Sequence, residues 1–310
     1  MQIIADTIDF KILQNTAVAI GKFDGMHKGH RILFEKILEA KKRGLKAVIF
    51  TFDPPPEVLF GKRDNKVITT REEKRILFRK MGIDILIEYP LNKETAAILP
   101  RDFVAQVLKE KMNMSYLVAG SDITFGHRGE GNAALLKEMC KEYDFTLELI
   151  EKIREKGREI SSTFVREEIQ AGRMEEVTKL LGVPYEIAGE VVHGAKLGRR
   201  IGMPTINLLP CKEKLLPPKG VYYSKTLIGS REYKSITNIG KKPTVNQEDI
   251  IGVETYIYEF DQDVYGRSAV VKLLGFRRPE MKFDSVEALK EQMMKDIQAG
   301  REWDGYTKNN

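Results

Sequence analysis

The sequence has few cysteines, no long apolar run and only four histidines among its 310 residues. Its two cysteines, Cys140 and Cys211, lie far apart and form no CxxC pair. We therefore expect neither a disulfide framework nor a structural zinc site, and we interpret both as packing residues. No stretch of about 18 apolar residues is present to span a bilayer. The first residues, MQIIADTIDFKILQ, lack the basic head and apolar core of a signal peptide, so we expect a cytoplasmic protein.

The composition is that of an ordinary globular chain. Hydrophobic residues make up 42% and charged residues 31%, which excludes disordered and fibrous proteins. Because 310 residues exceed the usual size of one domain, we expect two. The formal charge of +6 suits anionic ligands such as nucleotides or nucleic acid. Clusters such as KKRG at 41–44 are also typical of solvated helix ends, so the charge alone identifies no ligand.

The first half of the chain alternates short apolar runs with helical patterns. This alternation predicts βαβ units, and hence an α/β fold with a parallel sheet covered on both faces. Ligands of such sheets bind beyond the carboxyl ends of the strands, where Gly21, 51–54 and 120–126 should gather. The predicted strands are Ala17–Gly21, Lys46–Thr51, Ile83–Glu88, Tyr116–Ala119 and Thr146–Ile150, and the predicted helices are His30–Lys42, Thr70–Met81, Pro100–Lys111 and Asn132–Tyr143.

The second half has a different texture. Two predicted helices, Thr163–Ala171 and Met174–Leu181, end at glycine and proline stop signals. From Tyr185, short β-branched segments separated by turn residues predict an antiparallel sheet or small barrel. A terminal amphipathic helix should begin at a Ser285 cap and end at Gly300. The predicted domains are residues 1–184 and 185–310.

The stretch AVAIGKFDGMHKGH, at 17–30, joins a predicted strand to a predicted helix and holds two of the four histidines. His27 and His30 are three residues apart and would share one face of a helix. At a helix N-terminus, free backbone N–H groups and the positive end of the dipole form an anion site. Nearby glycines would let the backbone approach phosphates closely. The pattern alone is equally compatible with a turn that has no ligand.

The motif resembles a known phosphate-binding signature. GKFDGMHKGH resembles the HxGH signature of the nucleotidyltransferase superfamily and, in this form, the adenylyltransferase half of the bifunctional bacterial riboflavin kinase and FAD synthetase family. TFDPPP at 51–56, GSDITFG at 120–126 and ISSTFVR at 160–166 follow in that family's order. The resemblance implies a Rossmann-like nucleotidyltransferase domain that uses ATP and Mg²⁺ to adenylylate FMN, with release of pyrophosphate.

The resemblance also implies roles for individual residues. His27 and His30 would stabilise charge at the α-phosphate and the leaving group, and Arg166 would hold the polyphosphate. Asp122 and Phe125 would bind the flavin substrate, Asp122 near the ribose and the flavin phosphate. The implied ATP- and phosphate-binding residues of this half are Gly21, Phe23, Asp24, Gly25, Ser161, Ser162 and Thr163.

Two positions depart from the family's pattern in this half. Pro55 stands where the family usually has the histidine of TFDPHP, and a proline has no side-chain donor. Ile123 stands where the family favours phenylalanine. We expect altered flavin affinity or preference at these positions.

The second half has its own glycine-rich motif, HGAKLGRRIGMPTINL at 193–208. Its glycines permit positive φ and close backbone approach, as a phosphate-cradling loop requires. No Gly-Lys-Ser/Thr follows, so the motif is not a Walker A loop, and a plain surface turn is the alternative. The string resembles the GxxxGRxLGFPTAN signature of riboflavin kinases. PKGVYY, NIGKKPT, VETYIYEFDQDVYG and RRPEMKFDSVEAL match later motifs of that family in order.

This second resemblance implies a small antiparallel β-barrel riboflavin kinase domain with a terminal helix. Thr205 and Asn207 would bind Mg²⁺ and ATP phosphate, and Glu254 would be the general base on the ribityl 5′-hydroxyl. A lone glutamate in a strand is more often a solvated residue, so this role depends on the resemblance. Tyr256 replaces the family's usual histidine on the same face as Glu254. The other implied residues are Gly194, Gly198 and Arg199 for ATP and Arg277 and Glu280 for the flavin.

The predicted function is flavin cofactor biosynthesis in two ATP-dependent steps, from riboflavin to FMN and from FMN to FAD. The partners would be these small molecules; no membrane or nucleic acid is expected, and the oligomeric state is not indicated. A chain with only one of the two activities is an alternative, because of Pro55, Ile123 and Tyr256. A flavin- or RNA-binding regulator is another, although no nucleic-acid module with interleaved aromatics is visible. A nucleotidyltransferase for another acceptor would leave the barrel motifs unexplained.

Overall fold

The computed structural model describes residues 1–61, 64–194, 198, 202–242 and 250–306. The chain forms two compact units, Met1–Ser161 and Ser162–Asn310. Two helices that follow Ser161 belong to the second unit, because the later of them packs on strands of the barrel. The compact units therefore divide the chain earlier than the predicted domain boundary after residue 184.

The first unit is built on six parallel strands in the order β1-β4-β3-β2-β5-β6. The chain runs from β2 through β3 to β4 and then places β5 on the other side of β2. The strand order therefore reverses between β2 and β5, where parallel sheets bind ligands. The strands are β1 (Gln2–Ala5), β2 (Thr16–Ile20), β3 (Lys46–Asp53), β4 (Ile85–Pro90), β5 (Met114–Gly120) and β6 (Thr146–Ile150).

Helices cover both faces of this sheet. Alternate residues of the fully buried β2 point to opposite faces: Ala17 and Ala19 pack beneath α1, while Val18 and Ile20 face the other layer. Burial on both sides explains why the strand is continuously apolar in sequence. The helices are α1 (Lys28–Lys42), α2 (Pro56–Leu59), α3 (Arg71–Lys80), α4 (Pro100–Asp102) and α5 (Ala133–Glu142), and a hairpin of β7 (Arg154–Glu155) and β8 (Arg158–Glu159) follows β6.

The predicted helix Pro100–Lys111 is present but changes type. The α4 turn continues as a π-helix over Phe103–Lys111. At its end the Met112 amide donates to the Val107 carbonyl, five residues back, at 3.2 Å. Long π-helices are rare, and apolar spacing does not separate them from α-helices in a sequence. The buried side chains of this segment are Phe103, Val104, Val107 and Leu108.

The second unit is a closed antiparallel barrel with strand order β10-β13-β12-β11-β14-β9. Closure pairs β9 with β10, so both of these strands have two neighbours. The elements are α6 (Ser162–Gln170), α7 (Met174–Leu181), β9 (Tyr185–Val192), β10 (Thr205–Pro210), β11 (Gly220–Ile228), β12 (Arg231–Lys242), β13 (Ile250–Ile257), β14 (Ser268–Pro279) and α8 (Val286–Glu302).

A row of five hydroxyl groups lies in the barrel interior, where aliphatic side chains would be expected. The oxygen atoms follow one another at 2.8–2.9 Å across β11, β12 and β13. All five side chains are fully buried. Each buried hydroxyl therefore has a partner in the row, as burial of a polar group requires. In order, the row is Thr226, Ser235, Ser224, Thr237 and Thr255.

The terminal helix α8 begins as predicted, because the Ser285 hydroxyl accepts from the Ala288 amide at 3.1 Å. The prediction that it ends at Gly300 is wrong, since α8 continues to Glu302. Gly300 lies inside the helix, and a Cβ there would collide with the Tyr258 hydroxyl and the Ile236 side chain. This glycine permits close packing on the barrel instead of ending the helix.

The predicted fold class, a parallel-sheet unit followed by a small antiparallel barrel with a terminal helix, is confirmed. Strands β1 and β10 were not predicted from the sequence. The packing role predicted for Cys211 is wrong, because that side chain is exposed. Cys140 is partly buried against the core, as expected. Within the described ranges, none of the helices combines the length and apolar character needed to cross a membrane.

Candidate functional sites

The side chain of Asp24 fixes the turn after β2 by hydrogen bonds to two backbone amides. The buried Asp24 carboxylate accepts from the Ile68 and Thr69 amides at 2.7 and 3.2 Å. Gly25 has φ +77°, and a Cβ there would lie 2.9 Å from Ile68 side-chain atoms. Asp24 and Gly25 therefore fix the conformation of this turn.

Phe23 is fully buried, and its ring packs against His30. Its φ of +49° is unusual for an aromatic residue, and its ring contacts Phe34, Phe78 and the edge of His30. A Cβ at Gly21 would lie 2.8 Å from the Phe23 ring. The turn thus requires glycine at 21 so that this ring can enter the core.

The two predicted histidines come together at the start of α1. His27 is the N-cap residue of α1, and the rings of His27 and His30 stack with centroids 3.8 Å apart. Gly29 leaves room for this arrangement, since a Cβ there would lie 3.2 Å from the His27 ring. Both Nδ1 atoms are buried and lack a hydrogen-bond partner within the described part of the chain. Buried polar atoms normally have partners, so this pair has donor or acceptor capacity left for a ligand.

The environment keeps both imidazoles neutral at pH 7. Burial lowers the pKa of His27 from 6.5 to about 4, although the nearby carboxylates of Asp122 and Asp24 oppose the shift. Burial, the adjacent His27 and the Lys74 ammonium together lower the pKa of His30 well below its usual value. A neutral imidazole offers one N–H donor and one acceptor nitrogen. The pair can therefore bind phosphate oxygens by hydrogen bonds without carrying charge.

Lys74 is a component of this site that the sequence analysis missed. It lies on α3, its side chain is only 9% exposed, and its Nζ donates to the Lys22 carbonyl at 2.9 Å. The Thr51 hydroxyl donates to the same carbonyl at 3.2 Å. The available signal was a lysine four residues before Phe78 on the buried face of a predicted helix.

Asp122 lies beyond the carboxyl end of β5, close enough to His27 for its charge to act on that imidazole. Its carboxylate is 62% exposed and 3.0 Å from the Lys152 ammonium, which also donates to Glu159 at 3.0 Å. The sheet thus brings Asp122 and the histidine pair to one edge, as the reversal of strand order between β2 and β5 requires.

Other predicted residues of the first half are placed as follows. Phe125 is 4% exposed and packs in the core against Phe103, so a flavin contact there stays a prediction. Ile123 also packs against this core, while Pro55 precedes the short helix α2. The ISSTFVR motif crosses the division between the compact units. Ser161 ends the first, and Ser162, Thr163 and Arg166 lie on or begin α6 in the second.

The barrel brings together three predicted kinase residues by strand register. Thr205 and Asn207 on β10 pair with Tyr256 and Glu254 on β13. The Thr205 hydroxyl donates to Glu254 Oε1 at 2.6 Å. Val253 and Thr255 are buried in the barrel, which leaves Glu254 on the outer face beside the two β10 side chains. A carboxylate, a hydroxyl and an amide therefore converge on a small area.

Two glycines allow the chain to approach this group closely. A Cβ at Gly194 would lie 2.5 Å from the Asn207 Nδ2, and one at Gly198 would contact the Met203 carbonyl and lie 3.2 Å from the Thr205 hydroxyl. Gly194 is thus required by contact with the Asn207 side chain, and Gly198 by contact with the Met203 backbone next to Thr205. Arg199 lies outside the described residues.

A cavity of about 290 Å³ opens beside Thr205. Its wall includes apolar and aromatic residues together with Asp261, Gln262 and Asp263 of the loop that follows β13. The ring of Tyr265, in this wall, stacks on His193 with centroids 3.8 Å apart. Among its lining residues are Pro204, Thr205, Ile206, Phe260, Val264 and Tyr265.

Arg277 and Glu280 lie near the terminal helix. Arg277 donates to Asp296 at 2.8 Å and to the Tyr223 hydroxyl at 3.2 Å. Asp296 is buried, and Arg278 also binds it. Arg277 therefore fastens α8 to β14, and its flavin-binding role stays a prediction. Glu280 is exposed, and its carboxylate lies against Gly240.

Together these features indicate a class of protein: an enzyme that transfers phosphorus-containing groups, with one candidate site at the reversal point of a parallel sheet and a second candidate site on a barrel. The FAD synthetase family model matches residues 9–164, and the riboflavin kinase family model matches residues 181–303.

Comparison with known proteins makes the class specific. The bifunctional riboflavin kinase/FMN adenylyltransferase of Listeria monocytogenes is 34% identical over 93% of this chain and 92% of its own length. The protein of the same name from Escherichia coli K12 is 34% identical over 95% of both chains. This chain belongs to the bifunctional riboflavin kinase/FMN adenylyltransferase family.

A solved structure is similar over the full chain. The crystal structure of a protein named as a macrolide-efflux protein, from Streptococcus pneumoniae, has a TM-score of 0.86 and 31% identity, and it covers 98% of this chain and 100% of its own. That protein is named for efflux and the relatives above for flavin chemistry. Its likeness to this chain supports the described fold in both units.

Proposed function

We propose that this chain makes FMN from riboflavin in its second unit and FAD from FMN in its first. The observation that carries the proposal is the presence of both family models in one chain, each on a unit whose site residues converge. A chain with one activity would not require both sites to be built.

In the first unit the residues act by position and hydrogen bonding. The phosphate of FMN attacks the α-phosphorus of ATP, and the bond to the leaving pyrophosphate breaks, so no protein nucleophile is needed. His27 and His30 would donate to phosphate oxygens at the N-terminus of α1, where backbone amides are also available. Ser161, which ends this unit, would also bind the polyphosphate; Ser162, Thr163 and Arg166 belong to the other compact unit, and their role stays a prediction.

In the second unit Glu254 would accept the proton of the ribityl 5′-hydroxyl as that oxygen attacks the γ-phosphorus of ATP, and the bond from this phosphorus to ADP breaks, so that ADP leaves. The hydrogen bond from Thr205 fixes the orientation of this carboxylate. The cavity beside Thr205 has apolar and aromatic residues in its wall together with Asp261 and Asp263, and its volume of about 290 Å³ would accommodate the adenine base of ATP. Tyr256 lies across from Thr205 in the register and would contact the flavin side of the site.

Mg²⁺ fits the donors of the barrel site. The Thr205 hydroxyl donates its proton to Glu254 and keeps lone pairs for a cation, and the Asn207 amide oxygen is a second hard donor. The described residues include no group of three acidic, histidine or cysteine side chains that could hold a metal. Mg²⁺ is commonly held by few protein oxygens together with substrate phosphates, and it would supply charge neutralisation there.

The domain boundary and the location of the protein are also proposals. We place the boundary of the two activities near residue 184, and we place the protein in the cytoplasm because both reactions consume ATP.

The test is to incubate the purified chain with ATP and Mg²⁺ plus either riboflavin or FMN, and to separate the flavins by chromatography. FAD from both substrates is the expected result. FAD from FMN alone would mean an inactive kinase and would implicate Tyr256. FMN without FAD would implicate Pro55 and Ile123, and no turnover would overturn the proposal. Omission of Mg²⁺ with added chelator should stop both steps.

A further inference from the structure

Lys74 is buried beneath the turn that follows β2. Lysines are seldom buried, and here the side chain lies on the face of α3 that also carries Phe78. The ammonium group reaches the Lys22 carbonyl at 2.9 Å, and the Thr51 hydroxyl reaches the same oxygen. Two donors from two different elements therefore fix one peptide group of the signature motif.

That peptide group directly precedes Phe23, whose ring supports His30. Phe23 has φ +49°, and its ring meets the His30 ring edge-on with centroids 5.2 Å apart. A positive φ at a bulky residue persists only where the surroundings impose it. The contact of Lys74 with Lys22 is one of the contacts that impose it, so Lys74 influences the position of His30 through the backbone.

Lys74 also acts on His30 by its charge. The charged groups that face the histidine pair are the carboxylates of Asp24 and Asp122 and the ammonium of Lys74. The carboxylates favour protonation of His27, whereas Lys74 disfavours protonation of His30. Two imidazoles stacked at 3.8 Å cannot both be charged at low cost, and burial disfavours a charge on either ring. The fixed positive charge next to them is therefore that of the Lys74 ammonium.

We propose that Lys74 is a positioning residue for adenylyl transfer: it holds the peptide before Phe23, and its fixed ammonium opposes a second positive charge on the adjoining His30. This inference rests on the proposed function of the first unit. The positive charge that attracts the phosphates then comes from the buried ammonium of Lys74, and the two histidines contribute oriented hydrogen bonds.

Three variants separate charge from hydrogen bonding. Lys74→Arg keeps the charge, Lys74→Gln keeps a neutral donor toward the Lys22 carbonyl, and Lys74→Met removes both. Lys80→Gln, at the exposed end of the same helix, is the matched control. For each variant the rates of FAD formation from FMN and of FMN formation from riboflavin are measured. Because the chain has only four histidines, NMR titration of their ring signals can follow His30 in the free protein.

We expect Lys74→Gln and Lys74→Met to lower kcat for adenylyl transfer about 10²-fold, as removal of one charge-stabilising group does. In both, the His30 signal should titrate at higher pH than in the unchanged chain. Lys74→Arg should retain most of the rate, and Lys80→Gln and the kinase rate of every variant should be unaffected.

Two outcomes would overturn the proposal. If Lys74→Gln keeps the full rate, the lysine charge has no part in the reaction. If the His30 titration does not move in Lys74→Met, the lysine does not control its protonation. The titration needs no substrate, so it decides the role of Lys74 even if the unchanged chain forms no FAD and the proposed function fails.

Discussion

The two units build their candidate phosphate sites in opposite ways. In the parallel sheet, the site collects side chains from loops far apart in sequence, such as His27 and Asp122, because the reversal of strand order brings those loops to one edge. In the barrel, register alone places Thr205, Asn207 and Glu254 together. The first site has a pair of neutral imidazoles at its centre, with charged groups around them, whereas the second has a carboxylate as its central group. In the proposed reactions, one chain would therefore position phosphates by hydrogen bonds at its first site and remove a proton with a carboxylate at its second.

The change with the largest expected effect tests the carboxylate of the barrel. Glu254→Gln should lower the rate of FMN formation about 10³-fold, because a general base is lost while the shape is kept. FAD formation from FMN should be unchanged. The measurement is the initial rate of each step by chromatography. Glu190→Gln, an exposed strand glutamate on β9, is the control, and an active Glu254→Gln enzyme would remove the contrast between the sites.

A smaller loss is expected at the histidine pair. His27→Ala should lower the rate of FAD formation from FMN by about 10²- to 10³-fold, the effect of losing one donor to a developing charge. The kinase rate of the same molecules serves as the internal control. Full adenylyl transfer by this variant would show that the stacked pair is structural only.

The comparison also predicts different responses to acid. The pKa of His27 is 6.5 when exposed and about 4 in the fold, so the unfolded chain binds a proton between these values and the folded chain does not. Stability of the first unit is therefore complete above pH 6.5 and falls as the pH drops toward 4, by about 3 kcal/mol from this residue.

Calorimetry from pH 7 to pH 4 would measure this loss. The chain has one tryptophan, Trp303, which lies in the barrel unit and identifies that unit's transition by fluorescence. His27→Gln should flatten the pH dependence of the other transition. An equal dependence in the unchanged chain and in this variant would contradict the burial of a neutral His27.

The smallest effect concerns the charge next to the histidine pair. Lys152→Met should raise KM for FMN about threefold, because Asp122 would then repel an anionic substrate without a neighbouring cation. The double variant Asp122→Asn with Lys152→Met should return KM toward the original value. Additive losses in the double variant would mean that the pair does not act as a unit.

Much of this was accessible from sequence because the signals were local. The helix Met174–Leu181 and its Gly182 end, where φ is +75°, follow directly from stop-signal chemistry. The carboxyl-end clustering of the first site follows from strand alternation, and the proximity of Glu254 and Tyr256 follows from the two-residue period of a strand.

The remaining features depend on contacts that no local pattern encodes. Gly300 looks like a helix end until the Tyr258 hydroxyl occupies the space of its missing side chain. Lys74 looks like a solvated helix residue until α3 is placed beneath the Lys22 carbonyl. Arg277 fits a flavin-binding motif, and only the fold shows that Asp296 binds its guanidinium.

The hydroxyl row inside the barrel bears on how this core can change over generations. Replacing Ser235 by alanine removes the row partner of Thr226, and replacing Thr237 by valine removes that of Thr255, at a cost of about 1–3 kcal/mol each, whereas a change at either end of the row leaves every other hydroxyl with a partner. Replacing all five at once leaves none unsatisfied. The order of substitution therefore matters: a core that loses these hydroxyls from one end of the row inward keeps the remaining ones paired until a single hydroxyl is left, whereas a first change at Ser235 or Thr237 leaves an end residue without its row partner.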